Sequence, residues 1–511
     1  MARPRYQQPP RIKDGVQRIV DLSHEVFPYP RKPVEFPPPP YTHLESFGEI
    51  NNDVTQRTKI FRHLQLNPYS YSNSTNHTGM LIHQTTANYT LHVEGPHPGF
   101  LRPYMYDNTF PPDRKLVPKQ ASDVPLAQLI GPAAILDLQV QREREMIPLD
   151  KIKALGDQIQ EGDMVFIRTG QRSNSQWSYS EPGTTKWLVE NKGCLIYGTD
   201  SGGIDEPAGA AGNERNHEDL MLNGGCALEP GLHWERIPGN RAFMIVLPLR
   251  IHGLDAGIGR AIAILGDKKD RHNREAIDVT PTLVDTVTGK TRFSPPFKQI
   301  EPIFDKNNIT RRLEILPFSM DNAYTDQAMY VTFDCRLGTH IEVPNIANNS
   351  EEMDVASIQA KKLLGDAVVL DIRKGARQVI TAKDLANEDP GIRPGDIVLL
   401  RTDYSNWYYG RPDFYELSPW LSLDAASWLV DKQVAMLGTD TACVDAQEPS
   451  RGIGPDDAVS SLLLSNDIPI VQNLTNLRYV RQQRCFFVAF PLKIRGLTIC
   501  PVRAAVLEWY E

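Results

Sequence analysis

A histidine and a glutamate two residues apart occur at two corresponding places in the chain. The first pair is His92 and Glu94, in NYTLHVEGPH, and the second is His340 and Glu342, in RLGTHIEVPN. Residues two apart on an extended strand point to the same face, so each pair could reach one metal ion. By itself the pattern predicts metal binding weakly, and an exposed strand face with two polar residues is the plainer alternative.

The segments around these pairs belong to an internal repeat, because stretches of the first half return in the same order in the second half. Chance similarity does not keep such an order, so the chain is predicted to be one domain in two tandem copies. The matched stretches are 129–138 with 363–372, 161–170 with 394–403, 186–200 with 427–440, 241–253 with 484–496, and 259–264 with 502–507.

Each copy alternates short apolar segments with helical ones, which is typical of an α/β fold. AAILDL at 133–138 and DMVFIR at 163–168 are short, mostly apolar runs that favour buried strands. TTKWLVEN at 184–191 and DAASWLVDK at 424–432 have helical spacing, with Thr or Asp near their starts as expected caps.

The predicted organisation has four parts: an extended arm at 1–50, a first domain at 51–270, a linker region at 271–310 and a second domain at 311–511. The linker is placed where KKDRHNREAIDVTPTLVDTVTGK is polar and the apolar period weakens. The Pro-rich arm is either a clamp onto the second copy or a simple linker, and the residues do not decide between these.

Composition excludes several classes of protein. Of 511 residues, 41% are hydrophobic and 23% charged, which is ordinary globular composition. The net charge of −8, without a long run of Lys or Arg, argues against nucleic-acid or anionic-membrane partners. Six cysteines without a C-x-x-C pair argue against a disulfide framework or a thiolate zinc cage. With no apolar leader and no apolar stretch of spanning length, a cytoplasmic protein is expected.

The motifs of each copy, taken in order, resemble the cyclase superfamily, which includes bacterial kynurenine formamidase and isatin hydrolase. The motifs are H-x-E-x-P, G-D-x-V-x-x-R-T, W-L, G-x-D, P-L-x-I-x-G and a terminal R-A, and VDLSHEVFPYP at 20–30 resembles the family's D-L-[ST]-H signature. The resemblance covers nearly the whole chain twice. It implies two tandem cyclase-type α/β domains, of the swivelling β/β/α kind, that form a pseudo-dimer within one chain.

The resemblance also implies a metal site in the first copy. His92 and Glu94 match the second His and the Asp of the family's signature strand, and His217 and Glu229 match a later His and Glu with the same twelve-residue spacing. Asn88 stands where the family has its first His, which favours one metal ion over two. Two imidazoles and two carboxylates suit Zn²⁺ or Mn²⁺ with an open coordination position.

Other residues receive roles that are less specific. His97, beside the ligand strand, is the candidate proton shuttle. Asn88 is a weak ligand, a donor to the oxyanion or a structural turn residue. His24, in D-L-S-H, either lines the substrate pocket or caps a turn. Asp200 and Asp440 occur in G-T-D of both copies and are predicted to hold a turn rather than to do chemistry.

The second copy departs further from the family's ligand set. Ser460 and Gln472 occupy the later His and Glu positions, and Arg336 replaces the first His. An Arg guanidinium repels a divalent cation and is expected to pair with Glu342 instead. We therefore predict no catalytic metal in the second copy.

Two loops near these sites remain open in their interpretation. The Gly/Ala-rich segment 202–220 either gates the substrate or is a plain surface loop. The aromatic residues at 407–409 pack in the core, pack across the two copies or face the substrate, with core packing as the default.

The function that the resemblance implies is metal-dependent hydrolysis of an amide, lactam or lactone by a metal-bound hydroxide in the first copy. The alternatives are a metal-dependent cyclase or dehydratase of a biosynthetic pathway, and a non-catalytic ligand-binding pseudoenzyme. The expected partner is a small-molecule substrate. Whether the pseudo-dimer assembles into a larger homo-oligomer stays open.

Overall fold

The computed structural model describes residues 16–21, 64–70, 78–85, 92–94, 124–171, 177–206, 215–229, 233–251, 256–265, 275–278, 313–319, 327–344, 354–409, 411, 413–446, 458–494 and 497–509. Across these segments we find no helix with the length and apolar character needed to cross a bilayer.

The described segments form strands and short helices in alternation. The strands are β1 Val16–Asp21, β2 Leu64–Ser70, β3 Thr78–Thr85, β4 His92–Glu94, β5 Ile130–Asp137, β6 Met146–Ile147, β7 Met164–Arg168, β8 Tyr179–Ser180, β9 Ile196–Thr199, β10 Cys226–Glu229, β11 Arg241–Pro248, β12 Ala256–Leu265, β13 Glu275–Asp278, β14 Leu313–Ser319, β15 Gln327–Asp334, β16 His340–Glu342, β17 Leu364–Asp371, β18 Val379–Ile380, β19 Ile397–Arg401, β20 Trp420–Leu421, β21 Met436–Thr439, β22 Ile470–Gln472, β23 Arg484–Pro491 and β24 Ile499–Trp509. The α-helices are α1 Leu126–Leu129, α2 Leu149–Ala154, α3 Thr184–Lys192, α4 Arg215–Leu222, α5 Ala382–Asn387, α6 Tyr404–Tyr408, α7 Leu423–Asp431 and α8 Ala458–Ser465.

The first copy is built on a mixed sheet that closes on itself. Its strand order is β11-β5-β7-β9-β10-β4-β12-β13, and β11 also pairs with β12. The pairs β5–β7, β7–β9 and β9–β10 are parallel, whereas β4 is antiparallel to β10 and to β12. The parallel strands are buried on both faces, which explains their continuous apolar character.

The second copy repeats this sheet strand for strand. Its order is β1-β24-β16-β22-β21-β19-β17-β23, with an additional β23–β24 pairing that closes it. The strand β16 takes the place of β4, and β22 takes the place of β10. The duplication read from the sequence is therefore present in the sheet topology.

Each closed sheet carries an additional edge strand from a segment that flanks the first copy in the chain. β1 precedes the first copy in the chain but pairs antiparallel with β24 of the second sheet. β13 follows the first sheet, within the region predicted as a linker, and pairs with β12 of the first sheet. The clamp interpretation of the arm predicts a contact with the second copy, and the pairing of residues 16–21 with β24 is such a contact. A further sheet, β14-β15-β3-β2, joins hairpins from both halves through the β15–β3 pair.

The two copies share one apolar core. Val246 and Ile262 of the first sheet belong to the same buried cluster as Val488 and Val506 of the second. Two fully buried arginines also connect the copies: Arg260 Nη1 donates to the Val355 carbonyl at 2.9 Å, and Arg503 Nη1 donates to the Pro248 carbonyl at 3.4 Å. These two arginines occupy matching positions on β12 and β24.

The predicted helices at 184–191 and 424–432 are confirmed as α3 and α7. The predicted caps were wrong. The N-cap positions are Gly183, in the left-handed region at φ 89°, and Ser422, and neither side chain makes a capping hydrogen bond. A glycine at N-cap costs little relative to Ser or Thr. The first N–H groups of α3 are satisfied within the protein, because Thr184 donates to the Glu181 carbonyl at 3.1 Å and Thr185 donates to Oδ1 of Asn216 at 3.2 Å.

Candidate metal centre of the first copy

The strands that carry the predicted ligands lie side by side. In the β4–β10 pair, the register places His92 opposite Glu229 and Glu94 opposite Ala227. Directly opposed residues of an antiparallel pair have Cβ atoms about 4.5–5.5 Å apart. His92 and Glu229 therefore share one location in the sheet. For His92 and Glu94 the structure describes the backbone alone.

His217 reaches the same location from helix α4. Its Nε2 lies 3.3 Å from Oε1 of Glu229. Both residues are buried, with 7% and 6% of their surface exposed. Helix α4 packs against β10, and this packing brings His217 and Glu229, twelve residues apart in the sequence, next to each other.

Asp205 holds the other side of the His217 ring. Its Oδ2 lies 2.8 Å from Nδ1 of His217 and accepts the backbone N–H of the same residue at 3.0 Å. Its Oδ1 accepts the backbone N–H of Asn216 at 3.1 Å. Because a carboxylate can only accept, Nδ1 is the donor, and in the neutral ring the lone pair is on Nε2, beside Glu229.

A glycine and a tryptophan form the wall beside Glu229. The backbone N–H of Ile204 donates to Oε1 of Glu229 at 2.5 Å. A Cβ placed on Gly203 would lie 3.5 Å from Oε2 of Glu229 and 3.0 Å from Nε1 of Trp177. Nε1 of Trp177 donates to the Asp205 carbonyl at 2.7 Å. The carboxylate is thus fixed on the side that faces the 201–206 turn.

The described donors fit a small divalent cation. Two donors that each lie about 2.0–2.1 Å from a tetrahedral ion are separated by about 3.3 Å, which is the separation between Nε2 of His217 and Oε1 of Glu229. A lone pair and a carboxylate oxygen repel each other unless a cation or a proton lies between them. Imidazole nitrogen and carboxylate oxygen are also donors that Zn²⁺ and Mn²⁺ accept.

The remaining predicted site residues are not tested. Asn88, His97 and His24 lie outside the described residues, so their roles stay predictions. Among the described side chains there is no group of three or more metal-ligating residues. The two predicted ligands with described side chains, His217 and Glu229, are brought together.

The second copy has the same backbone arrangement with different chemistry. In the β16–β22 pair, His340 lies opposite Gln472, as His92 lies opposite Glu229. Oε1 of Gln472 accepts the backbone N–H of Val444 at 3.1 Å, which corresponds to the Ile204 contact. The side chain that replaces the glutamate therefore keeps its structural hydrogen bond and loses its charge.

The predicted ion pair of the second copy is confirmed. Nη2 of Arg336 lies 3.5 Å from Oε1 of Glu342. Nearby His340 is 1% exposed and its Nδ1 lies 3.0 Å from the Gly338 carbonyl, to which it donates. Burial and, to a smaller extent, the charge of Arg336 lower the pKa of His340 to about 4, although the hydrogen bond to the Gly338 carbonyl raises it. The imidazole is therefore neutral near pH 7.

Asp200 and Asp440 hold turns in both copies, as predicted. Oδ1 of Asp200 accepts the N–H and the hydroxyl of Thr169, and Oδ2 accepts the N–H of Gly170. Asp440 makes the same set of contacts in the second copy, with Thr402 and the residue that follows it. Burial raises the pKa of both carboxyls, and the pKa of Asp440 reaches about 7.

The structure describes part of each of the two loops whose roles the sequence left open. Residues 207–214 of the Gly/Ala-rich loop lie outside the described residues, whereas Ile204 and Asp205 near its start are buried. In the second copy, Tyr408 stacks on Tyr404 with ring centroids 4.6 Å apart, which agrees with the core-packing alternative. Trp407 does not follow that alternative, because it is 71% exposed.

Sequence reasoning did not identify Asp205 or Trp177. Asp205 does recur in the duplication, since G-T-D-S-G-G-I-D at 198–205 matches G-T-D-T-A-C-V-D at 438–445. This aspartate is shared by the copy with four predicted ligands and by the copy that has lost two of them, so its recurrence favours a structural role. Trp177 has no such signal, because the second copy has Ser418 two residues before β20, where the first copy has Trp177 two residues before β8.

The chain resembles known proteins over one copy at a time. A kynurenine formamidase from Erythrobacter litoralis is 32% identical over 166 residues, which are 32% of this chain and 69% of the relative. A kynurenine formamidase from Bacillus cereus is 26% identical over 207 residues, which are 39% of this chain and 92% of the relative. Isatin hydrolase A from Ralstonia solanacearum is 24% identical with a TM-score of 0.35, over 38% of this chain and 81% of that structure. The cyclase family model matches residues 20–206 and 277–446, which is well over half of the chain. The chain therefore belongs to the cyclase family and carries its domain twice.

Proposed function

We propose that the first copy is a metal-dependent hydrolase that cleaves the acyl bond of an amide, lactam or lactone. The observation that carries the proposal is the buried pair of His217 Nε2 and Glu229 Oε1, 3.3 Å apart, beside the strand of His92. Similarity to kynurenine formamidases and to isatin hydrolase supports a formamide or a cyclic amide as the first substrates to try.

In this proposal, His92, Glu94, His217 and Glu229 hold one Zn²⁺ or Mn²⁺ ion. When bound, such an ion polarises an acyl carbonyl and makes water acidic enough to supply hydroxide near pH 7. Glu229 is kept in place by the N–H of Ile204, so a ligand oxygen is presented without reorganisation. His97 is the proposed proton shuttle. Asn88 contributes either as a weak ligand or as a donor to the oxyanion.

We propose a supporting role for the second copy, as one half of a pseudo-dimer folded from a single chain. The pairing of β1 with the second sheet, the β3–β15 pair and the two buried arginines support this arrangement. The ion pair of Arg336 with Glu342 supplies the positive charge that a metal would supply, so this copy is proposed to bind none.

The test is metal analysis of the full chain, followed by hydrolysis assays with formamides, lactams and lactones. The decisive variant is Glu229→Gln. Gln472 shows that a glutamine at this position keeps the backbone hydrogen bond, so the variant should fold while losing its metal and its activity together. Detection of hydrolysis at the wild-type rate by the metal-free variant would contradict the proposal.

The matched control is Gln472→Glu, the opposite exchange in the second copy. It should leave the metal content at one ion per chain, because Ser460 still replaces a ligand and Arg336 still repels a cation. A second tightly bound ion in the unmodified chain would refute the single-site assignment.

A further inference from the structure

We propose that Asp205 is the positioning residue of the metal centre: its carboxylate fixes the tautomer and the orientation of the His217 ring, so that Nε2 is available to a metal. This inference rests on the function proposed above. It adds a residue that belongs to neither the family's ligand motif nor the set of predicted site residues.

The contacts of Asp205 tie the imidazole to the start of its own helix. Oδ1 accepts from the N–H of Asn216 at 3.1 Å, and Oδ2 accepts from the N–H of His217 at 3.0 Å. The same Oδ2 lies 2.8 Å from Nδ1 of His217. Since two backbone bonds fix the carboxylate relative to α4, the bond to Nδ1 fixes the ring relative to the helix.

The direction of that bond determines which nitrogen can bind a metal. A carboxylate accepts the Nδ1 proton, so the neutral ring carries its lone pair on Nε2, beside Glu229. Metal-ligating histidines commonly donate their other ring N–H to such a carboxylate, which sets the tautomer and raises the basicity of the ligand nitrogen.

Asp205 is itself held rigidly. It is 5% exposed, and its carbonyl accepts the indole N–H of Trp177 at 2.7 Å. The Trp177 ring packs against Gly202 and Gly203, since a Cβ on either residue would lie within about 3 Å of a ring atom. A positioning residue must not move with its ligand, and these contacts restrain Asp205 independently of His217.

The second copy separates the positioning role from ordinary helix capping. Oδ1 of Asp445 accepts the N–H groups of Val459 and Ser460 at 2.9 and 3.3 Å, which are the positions of Asn216 and His217. The aspartate cap therefore exists where no imidazole is present. If capping were its whole purpose, the same substitution at Asp205 and at Asp445 would have the same consequences.

The experiment compares Asp205→Asn with the matched control Asp445→Asn in the full chain. Asparagine can still accept a backbone N–H through Oδ1, but its amide group offers a donor to Nδ1 of His217. The ring should then carry its proton on Nε2. We expect Asp205→Asn to lower the Zn²⁺ affinity about 10–100-fold, measured by competition with a chromophoric chelator, and Asp445→Asn to leave the affinity unchanged.

A second measurement uses the metal-free protein and does not depend on catalysis. Nitrogen-15 spectra of histidine-labelled chain, with His217→Gln for assignment, report which ring nitrogen is protonated. In spectra recorded at alkaline pH, where the ring is neutral, we expect a pyridine-type Nε2 in the wild type and a pyrrole-type Nε2 in Asp205→Asn. An unchanged tautomer, or equal Zn²⁺ affinities for the two Asn variants, would overturn the proposal. If the wild type binds neither Zn²⁺ nor Mn²⁺, the proposed function fails, and the tautomer still decides the role of Asp205.

Discussion

The packing of Trp177 on Gly202 leads to a quantitative prediction, because the second copy has a different pair of residues, Ser418 and Ala442, at the corresponding positions. A Cβ on Gly202 would lie 2.6 Å from Cε3 and 2.8 Å from Cδ2 of Trp177, so the ring would have to shift. The hydrogen bond from Nε1 of Trp177 to Asp205 resists that shift. In the second copy, Ala442 lies beside Ser418, whose Oγ accepts the N–H of Ala442 at 3.0 Å. The alanine there meets a small side chain.

The predicted perturbations are Gly202→Ala, Trp177→Ser and the combination of both. Gly202→Ala should lower the free energy of unfolding by about 1–3 kcal/mol, the usual cost of overpacking. Trp177→Ser should cost about 2 kcal/mol, which is less than the loss of a fully buried aromatic ring because Trp177 is half-buried. In the double variant the clash is absent, so its cost should stay near that of Trp177→Ser alone.

The assay is thermal and urea unfolding of the full chain. For a domain of this size, each kcal/mol corresponds to about 2–4 °C in Tm. The control Ala442→Gly removes no clash and should change the stability by less than about 1 kcal/mol. The reasoning is refuted if the double variant is as unstable as the sum of the two single variants, since that result means the two residues do not interact.

The remaining predictions concern the second copy. Deleting residues 1–21 removes β1 and uncovers the edge of β24, so the Tm should fall while the metal content of the first copy is kept; an unchanged unfolding curve would argue against the β1–β24 pairing. His340→Asn should weaken the acid sensitivity of the protein. The pKa of His340 is near 4 when folded and near 6.5 when unfolded, so the stability it contributes is present above pH 6.5 and is lost as the pH falls toward 4. Tm measured against pH for both proteins checks this, and parallel curves would contradict it.

The sequence predicted well the local structure of the two closed sheets, which we call the first and second barrels. Most of the apolar run at 133–138 lies in β5 and most of the run at 163–168 lies in β7, because short buried strands need continuous apolar residues. The turn role of Asp200 and Asp440 was predictable because both copies keep it. The proximity of His217 to Glu229 was also foreseen, although through family resemblance rather than through spacing alone.

The rest could not be read from the sequence for physical reasons. Which sheet accepts β1 is decided by a pairing with a segment near the other end of the sequence, and β13 is only four residues in a polar stretch. The role of Asp205 depends on the direction of a side-chain contact across a loop, which leaves no periodic signal. The tight fit of Trp177 on Gly202 is likewise a property of the folded turn.

The pairing of β1 with β24 of the second sheet has a consequence for the order of folding. Between β1 and its partner β24 lie the entire first barrel and the rest of the second, so this contact has one of the greatest sequence separations in the chain. On the ribosome, β1 is synthesised long before β24. Until β24 is made, the backbone of β1 lacks this partner, and unpaired strand backbone promotes aggregation. Contacts of such separation form slowly, because a very long loop must close first. We therefore expect the first barrel, which needs only β13 soon after β12, to form during synthesis, and the second to be completed after it.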